Sequence, residues 1–482
     1  MTEPTKRLRK SGVYDVASTR ERLESEAQFT GRGVTIAMLD SGFQRHPDLT
    51  TPKNRILAVV DSLDPSNTVE PATVQGWQWH GTQTSVVAAG NGHLSGGRYR
   101  SLAPDARVVL VKLGKDGRIS DEHIARGLEW VLENQKKYRI DIVSISAGGD
   151  EPIPYTSSVA DQAAEEAVRR RIVVVVAAGN SGFEQHHLPM PPANAPSVIT
   201  VGGYDDKGHL GGQLELYRSS FGPTVDGLLK PEVIAPAAWV VAPILVGTDQ
   251  EAKAAALFEL VETADVALPA RVETLGKAAG LDKGLERRTP AEIRAAIDTA
   301  IRGAKFVSSK YQHVDGTSFA TPIVSSVVAQ MIESNPDLKP VAIKHILCAT
   351  ADRIAGSDVY RQGFGSLDPK AAVEQARRAP GGLPAAYFGL PAVKDGIVTF
   401  YFLDPTARSV AIAGDFNGWN PTATPLERDP NGLWHVRVPV HGIGLLRYKI
   451  VVDGDRWIED PNNWIRVPAE AGGLVSALVV GA

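Results

Sequence analysis

Between residues 107 and 176 apolar runs and amphipathic stretches alternate with a regular beat, and the architecture follows from that beat. Residues 108–112, 141–146 and 172–176 are short apolar blocks of the kind that strands show when both faces are buried. Residues 121–137 and 158–170 between them carry apolar positions at helical spacing. Strands alternating with helices imply right-handed crossovers and a parallel sheet flanked by helices on both faces, an α/β fold. The pattern reaches upstream to residues 33–39, closed by Asp40-Ser-Gly42, and downstream to residues 196–202 and 230–236. A tail and then a helix over residues 18–29 are expected before it, and the stretch up to Gln78 reads as loop-rich.

Two helices stand apart from this beat. The first follows Trp79-His80-Gly-Thr82, is rich in alanine and valine, and ends at Gly90-Asn-Gly92. The second follows Asp315-Gly-Thr-Ser318-Phe-Ala-Thr-Pro322, where Ile323, Val327 and Met331 recur every fourth residue, as do Val324, Val328 and Ile332. Such a helix is buried over a broad face, and Pro322 is tolerated because it lies in the first turn. Residues 243–303 interrupt the alternation and read as an insertion of two or three helices. Its last helix opens on the capping box Thr289-Pro-Ala-Glu292 and carries the stripe Ile293, Ile297, Ile301. Helices over 339–349 and 368–378 close this first unit, residues 31–378, and 379–384 read as a linker by composition.

Past the linker the period changes to two. Trp434, Val436, Val438 and Val440 share one face, as do Tyr448, Ile450 and Val452, and Asn-Gly, Asp-Gly and Gly-Gly turns separate the runs. Residues 385–482 therefore read as an all-β immunoglobulin-like sandwich.

Composition narrows the function. At 43% hydrophobic and 22% charged the 482-residue chain has the composition of an ordinary globular protein, and its net charge of −4 argues against a nucleic-acid surface. Its single cysteine, Cys348, rules out an internal disulfide, sits among apolar neighbours as plain core, and fits a reducing compartment. The first ten residues are polar and basic with no apolar stretch behind them, and no apolar run approaches the ~18 residues of a membrane span. A cytoplasmic location is expected.

Asp40, His80, Asn180 and Ser318 each lie at the edge of a regular element. Taken singly, each has an ordinary structural role: a turn aspartate, a packed histidine, a turn asparagine in Asn180-Ser-Gly182, a helix-capping serine. Together, Asp-Ser-Gly, His-Gly-Thr and Gly-Thr-Ser-Phe-Ala-Thr-Pro in the order Asp, His, Ser resemble the subtilisin-like serine proteases over residues 28–375. The resemblance implies a serine endopeptidase of the intracellular type without a signal. Ser318 would be its nucleophile, His80 its base and Asp40 the group that orients the base. Asn180 and the Ser318 N–H would be its oxyanion donors. It also implies that Ser146, Ala147 and Gly148 pair with substrate backbone and that Ala177, Ala178 and Gly179 wall the primary specificity pocket. No acidic residue stands in those segments, so an apolar residue before the scissile bond is expected.

Several positions depart from the family. Gln83 stands where many members have a second histidine, and Phe319 where methionine is usual. Residues 88–104 lack the asparagine-rich calcium loop of secreted relatives, so no cofactor is expected, and a calcium site, though open to the fold, has no support in the sequence. No room is evident before Gly31 for a long folding propeptide, and the insertion could act as a lid.

In the second unit, the run from Val410 to Trp419, then Tyr448-Lys-Ile-Val-Val-Asp-Gly454 and Trp457-Ile-Glu-Asp-Pro461, resemble the glycogen-binding module of AMP-activated kinase β subunits. By position Trp419, Lys449 and Trp457 would contact an α-glucan, and Trp434 and Trp464 would be core. The expected partners are polypeptide substrates and an α-glucan, with neither nucleic acid nor membrane. The alternative from another class is a glucan- or partner-binding regulatory protein with a latent protease fold; the presence of all four catalytic identities weighs against it.

Overall fold

A computed structural model describes residues 16–25, 28–66, 73–115, 117–391, 393–430, 432–440, 444–470 and 472–480. The strands of its main sheet are β1 (Thr35–Asp40), β2 (Ile56–Asp61), β3 (Arg107–Lys112) and β4 (Ile142–Ile145). They continue with β5 (Val173–Ala177), β6 (Ile199–Asp205), β7 (Glu215–Leu216) and β8 (Val233–Pro236). The order is β2-β3-β1-β4-β5-β6-β7, with β8 also beside β6. Every residue of β1 is buried, because its side chains alternate between two cores. Ile36 and Met38 enter one, and Ala37 and Leu39 the other.

The helices preceding the insertion are α1 (Thr19–Arg22), α2 (Pro47–Thr50), α3 (Trp79–Ala89), α4 (Asp121–Tyr138) and α5 (Val159–Arg169). α4 and α5 cover the Ala37 face through Leu128, Val131, Ala164 and Val168. The other face is covered by α3 and by the central helix α9 (Thr317–Ser334), whose Ile323, Val324, Val327 and Val328 are fully buried. α10 (Pro340–Thr350) and α12 (Pro369–Arg378) pack behind it, and the single turn α11 (Val359–Gln362) lies between them. Cys348 is buried among them, and burial pushes its thiol up to about 12.

In this first unit three sequence expectations change. The helix expected over 18–29 is only α1, capped reciprocally by Ser18 and Glu21 and ended at Glu24, whose φ is 48°. Residues 1–15 and 26–27 of that stretch lie outside the described residues. The loop-rich reading before Gln78 missed β2, although Ile56-Leu-Ala-Val-Val60 is a strand signal. The sheet is mixed rather than wholly parallel, since the two-residue edge strand β7 runs antiparallel to β6. A strand that short leaves no periodicity to read.

The insertion is three helices, α6 (Asp249–Glu262), α7 (Leu268–Ala279) and α8 (Pro290–Gly303), on a stem of β9 (Val240–Pro243) and β10 (Tyr311–Val314). Leu257, Leu260, Leu268, Val272, Ile293, Ile297 and Ile301 enclose a core of their own, closed at the stem by Ile244 and Phe306. The bundle is tied at its base, where Lys310 Nζ pairs with Glu251 at 2.7 Å and the Gln44 amide donates to Val246 O at 2.7 Å.

The C-terminal unit has two antiparallel sheets. One orders β11 (Val393–Lys394), β12 (Ile397–Leu403), β15 (Leu433–Pro439) and β14 (Glu427–Arg428). The other orders β13 (Val410–Gly414), β16 (Gly444–Val452), β19 (Leu474–Val480) and β18 (Arg466–Pro468), with β17 (Arg456–Ile458) beside β16. Phe400, Phe402, Ile412, Tyr448 and Ile450 fill the space between them. Trp434 is buried there and donates from Nε1 to Asp404 O at 2.9 Å. Trp464 is not core: it is 45% exposed, in the turn between β17 and β18 where no alternation fixes a face.

Nor is the connection a free tether, for Ala379 and Leu383 are buried against the first unit. His345 of α10 is fully enclosed at the seam between the units, with Nδ1 2.8 Å from Asn462 Oδ1. Asn462 Nδ2 already donates to Tyr387 O and Tyr401 O, so its Oδ1 is the acceptor and His345 Nδ1 carries the proton. His345 Nε2 then accepts the Leu403 N–H at 3.1 Å. Burial holds this imidazole down at about 4, so it docks the two units as a neutral ring.

Candidate active site

β1, β4 and β5 deliver residues to the carboxyl edge of the sheet, where open α/β sheets place their clefts. Asp40 is the last residue of β1 and is 2% exposed. Its Oδ1 accepts the Ser41 N–H at 2.7 Å and lies 2.8 Å from His80 Nδ1. Its Oδ2 accepts the Thr84 hydroxyl at 2.9 Å. Thr84 stands one turn beyond His80 on α3, so one helix face presents both groups to the carboxylate. A β-carbon at Gly81 would lie 2.3 Å from Gly42 O and 2.9 Å from Asp40 Cβ, which explains glycine after the histidine. Burial pulls the His80 pKa down, but the charge of Asp40 and its hydrogen bond outweigh it and raise the imidazole above its usual value.

Ser318 is the second residue of α9. Gly316 before it has φ 144°, a backbone that L side chains rarely adopt, so the turn requires glycine. The Ser146 hydroxyl donates to Ser318 O at 2.8 Å and pins the end of β4 to the serine. Asn180 Oδ1 accepts the Thr317 N–H at 2.9 Å, leaving Nδ2 as the free end of the amide beside Ser318. No hydrogen bond joins His80 to Ser318 here; the ring of Phe319, the next residue of α9, packs against the imidazole with centroids 5.6 Å apart. Contacts of that kind tighten when substrate binds.

A cleft of about 600 Å³ opens along this edge, lined by Trp77, Trp79, His80, Ile119, Ser146 and Gly148. Sequence reasoning missed the two tryptophans, although Trp77-Gln-Trp79-His80 places both beside the histidine. Trp79 is 48% exposed, with its ring edge-on to His80 at 5.1 Å. Trp77 packs over Gly42, where a β-carbon would come within 2.1 Å of the indole. Ala147 belongs to the same cleft. Ala177 and Ala178, at the end of β5, are buried, and only Gly179 of that trio is half-exposed. Gln83 Nε2 donates to Pro243 O at 2.9 Å, bracing α3 on β9. Among the described residues no three His, Cys, Asp or Glu side chains converge as metal ligands.

In the C-terminal unit, Lys449 and Trp457 share the outer face of β16 and β17, since Trp457 pairs with Val451. Lys449 Nζ is 3.2 Å from Glu459 Oε1, and Glu459 also pairs with Arg353 of the first unit. Trp419 lies at one end of that sheet, donating from Nε1 to Asp415 at 3.1 Å. The three residues are thus spread along a face that the first unit partly covers.

Comparison with known proteins fits this division. Residues 31–366 match the model of the subtilase family, and residues 387–467 that of carbohydrate-binding module 48, the isoamylase N-terminal domain. The chain is 30% identical over 368 residues to the serine protease AprX of Bacillus subtilis, covering 74% of this chain and 70% of that one. It is 27% identical to subtilisin BL of Lederbergia lenta, covering 70% of this chain and 89% of the relative. The crystal structure of fervidolysin from Fervidobacterium pennivorans superposes with a TM-score of 0.50 at 21% identity, covering 93% of this chain and 55% of that one. No helix among the described residues is long and apolar enough to cross a membrane. With a family match over most of its length, this chain belongs to the subtilases and is a serine protease with a C-terminal carbohydrate-binding module.

Proposed function

We propose that the chain is an endopeptidase that cleaves by acyl transfer to Ser318, in the cytoplasm. The arrangement of His80 between Asp40 and the cleft carries this reading, since it fixes which nitrogen is free. With Nδ1–H donated to Asp40, Nε2 is the unprotonated base that takes the Ser318 proton as Oγ attacks the carbonyl. The oxyanion is met by Asn180 Nδ2 and the Ser318 N–H at the head of α9, both held before reaction. His80 then returns its proton to the leaving amine, and water deacylates Ser318 by the same route in reverse. Ser146, Ala147 and Gly148 offer the edge for substrate backbone. Ala177, Ala178 and Gly179 back the pocket for an apolar residue before the scissile bond.

Replacing Asn180 by alanine is expected to lower kcat by ~10²–10³-fold with KM little changed, a magnitude taken over from subtilisin itself. Steady-state kinetics on a peptide ester and amide check it. A KM effect without a kcat effect would remove Asn180 from the oxyanion site.

For the module we propose α-glucan contact through Trp419, Lys449 and Trp457, with indoles stacking on sugar faces. Glucan at Lys449 must compete with Glu459, which Arg353 holds from the protease side. Alanine at both Trp419 and Trp457 is expected to abolish retention on immobilised glycogen and leave peptide hydrolysis intact. Retention by the double variant would place the contact elsewhere.

A further inference from the structure

Two tryptophans beside His80 are held in place by the turn that carries them. Gly76–Gln78 form one turn of 3-10 helix ahead of α3, and Gln78 is turned inward and buried. Its Nε2 donates to Phe43 O at 2.6 Å and its Oε1 accepts the Gln75 N–H at 2.7 Å. With Gln78 locked inward, the residues on either side of it, Trp77 and Trp79, border the catalytic cleft. The Ser41 hydroxyl donates to Trp77 O at 2.9 Å, the indole packs over Gly42, and Lys112 Nζ lies 5.3 Å from its ring centre. Trp79 stands perpendicular to the imidazole and stays exposed. An indole left in water beside a catalytic group forgoes hydrophobic stabilisation that a ligand recovers.

The rest of the cleft sets what that ligand is. The segment after β3 returns to it: a β-carbon at Gly117 would lie 3.7 Å from Trp77 Cβ, and Ile119 adds an aliphatic side chain. Apart from His80, none of the lining residues has a titratable side chain. Of the charged groups around it, Lys112 pairs with Asp61 at 2.8 Å and donates to Gly114 O at 2.9 Å. Lys115 and Arg118 are exposed to solvent, and Asp121 sits against Gly149, past the end of the Ser146–Gly148 edge. The cleft therefore selects shape and apolar surface rather than charge. Its volume of about 600 Å³ is within the range of ligand pockets and takes a bulky side chain with the backbone that bears it.

We propose, on the reading that substrate backbone pairs with Ser146 to Gly148, that Trp77, Trp79 and Ile119 select an aromatic side chain at the second residue before the scissile bond. Side chains of an extended strand alternate in direction. The residue that carries the scissile carbonyl faces Ala177 to Gly179, so the one before it faces the other way, towards His80 and the indoles. Aromatic rings pair with indoles beyond what their area alone gives, and tryptophan has only two side-chain torsions to fix on binding. The protease thus reads two adjacent residues, an apolar one at the cut and an aromatic one before it.

The test uses the full chain and internally quenched peptides of one sequence, with leucine before the scissile bond and phenylalanine, alanine, lysine or glutamate before that leucine. Mass spectrometry of the products fixes the bond cut. kcat/KM for the phenylalanine peptide is expected to exceed that for alanine about tenfold, with lysine and glutamate no better than alanine. Trp79→Ala should bring the phenylalanine-to-alanine ratio to within about twofold of unity. Because Trp79 adjoins His80, Ile119→Ala serves as a second variant and should lower the ratio about threefold. Fluorophosphonate labelling of Ser318 is followed in every protein. Labelled Ser318 without a phenylalanine preference, a preference unchanged in either variant, or cleavage after the phenylalanine instead of the leucine would overturn the assignment and leave the endopeptidase reading standing. No cleavage of any peptide that depends on Ser318 would overturn that reading, and the assignment with it.

Discussion

Alanine in place of Ser318 is expected to reduce kcat for peptide hydrolysis on the order of 10⁶-fold, a magnitude carried over from subtilisin rather than from this geometry. The physical basis lies on the page. The other hydroxyl at the head of α9, Thr317, is fully buried and is engaged with Gly179 O and Asn180 Oδ1, so it cannot replace Ser318 as nucleophile. The methyl group fits where the hydroxymethyl was, and Ser318 contributes its backbone oxygen, not its side chain, to the bond with Ser146. Fold and substrate affinity are therefore expected to survive. Single-turnover kinetics with a fluorogenic peptide, together with a binding measurement on the inactive variant, separate chemistry from binding. Activity within tenfold of the parent would remove Ser318 from the mechanism.

Asparagine in place of Asp40 is expected to cost on the order of 10⁴-fold in kcat, by analogy with the same change in a serine protease of another fold. The amide cannot accept from His80 Nδ1 as the carboxylate does while keeping its bonds to Ser41 and Thr84. The imidazole is thereby turned to the tautomer whose Nε2 already carries a proton. The pH profile gives a second readout. Asp40 raises the His80 pKa against burial, so His80 loses its proton, and becomes a base, only above the usual histidine value. The parent's kcat/KM is expected to climb with pH through an apparent pKa above 6.5. In Asp40→Asn burial acts unopposed and the residual activity should rise at lower pH. A limb that stays at the same pH in both proteins would separate Asp40 from the titration of His80.

Much of this was legible in the sequence because strong local signals coincided with the fold. β1, β3, β4 and β5 are buried on both faces, so their apolar runs had no competing reading. The glycines of His80-Gly81 and Gly316-Thr-Ser318 are required by a backbone approach and by a positive φ, and so mark the site from within the chain. What escaped has physical reasons. β7 is too short for periodicity, and β9 and β10 pair only across the whole insertion. Thr84 reads as one more helix residue until Asp40 is seen against it. Trp464 was given to the core because tryptophan usually is, yet its place is set by the seam between the units, which no local pattern encodes. Arg466 looks like an ordinary strand arginine until α10 and Phe364 close over it.

The measurement that tests the catalytic account most directly is labelling of the purified full chain with a fluorophosphonate probe, followed by peptide mapping of the modified residue. Such a probe phosphonylates only a serine whose base and oxyanion donors are assembled. The account expects one label per chain, on Ser318, lost in His80→Ala and not lost when glycogen is added. A label on another serine, or none on a chain that hydrolyses peptides, would contradict it.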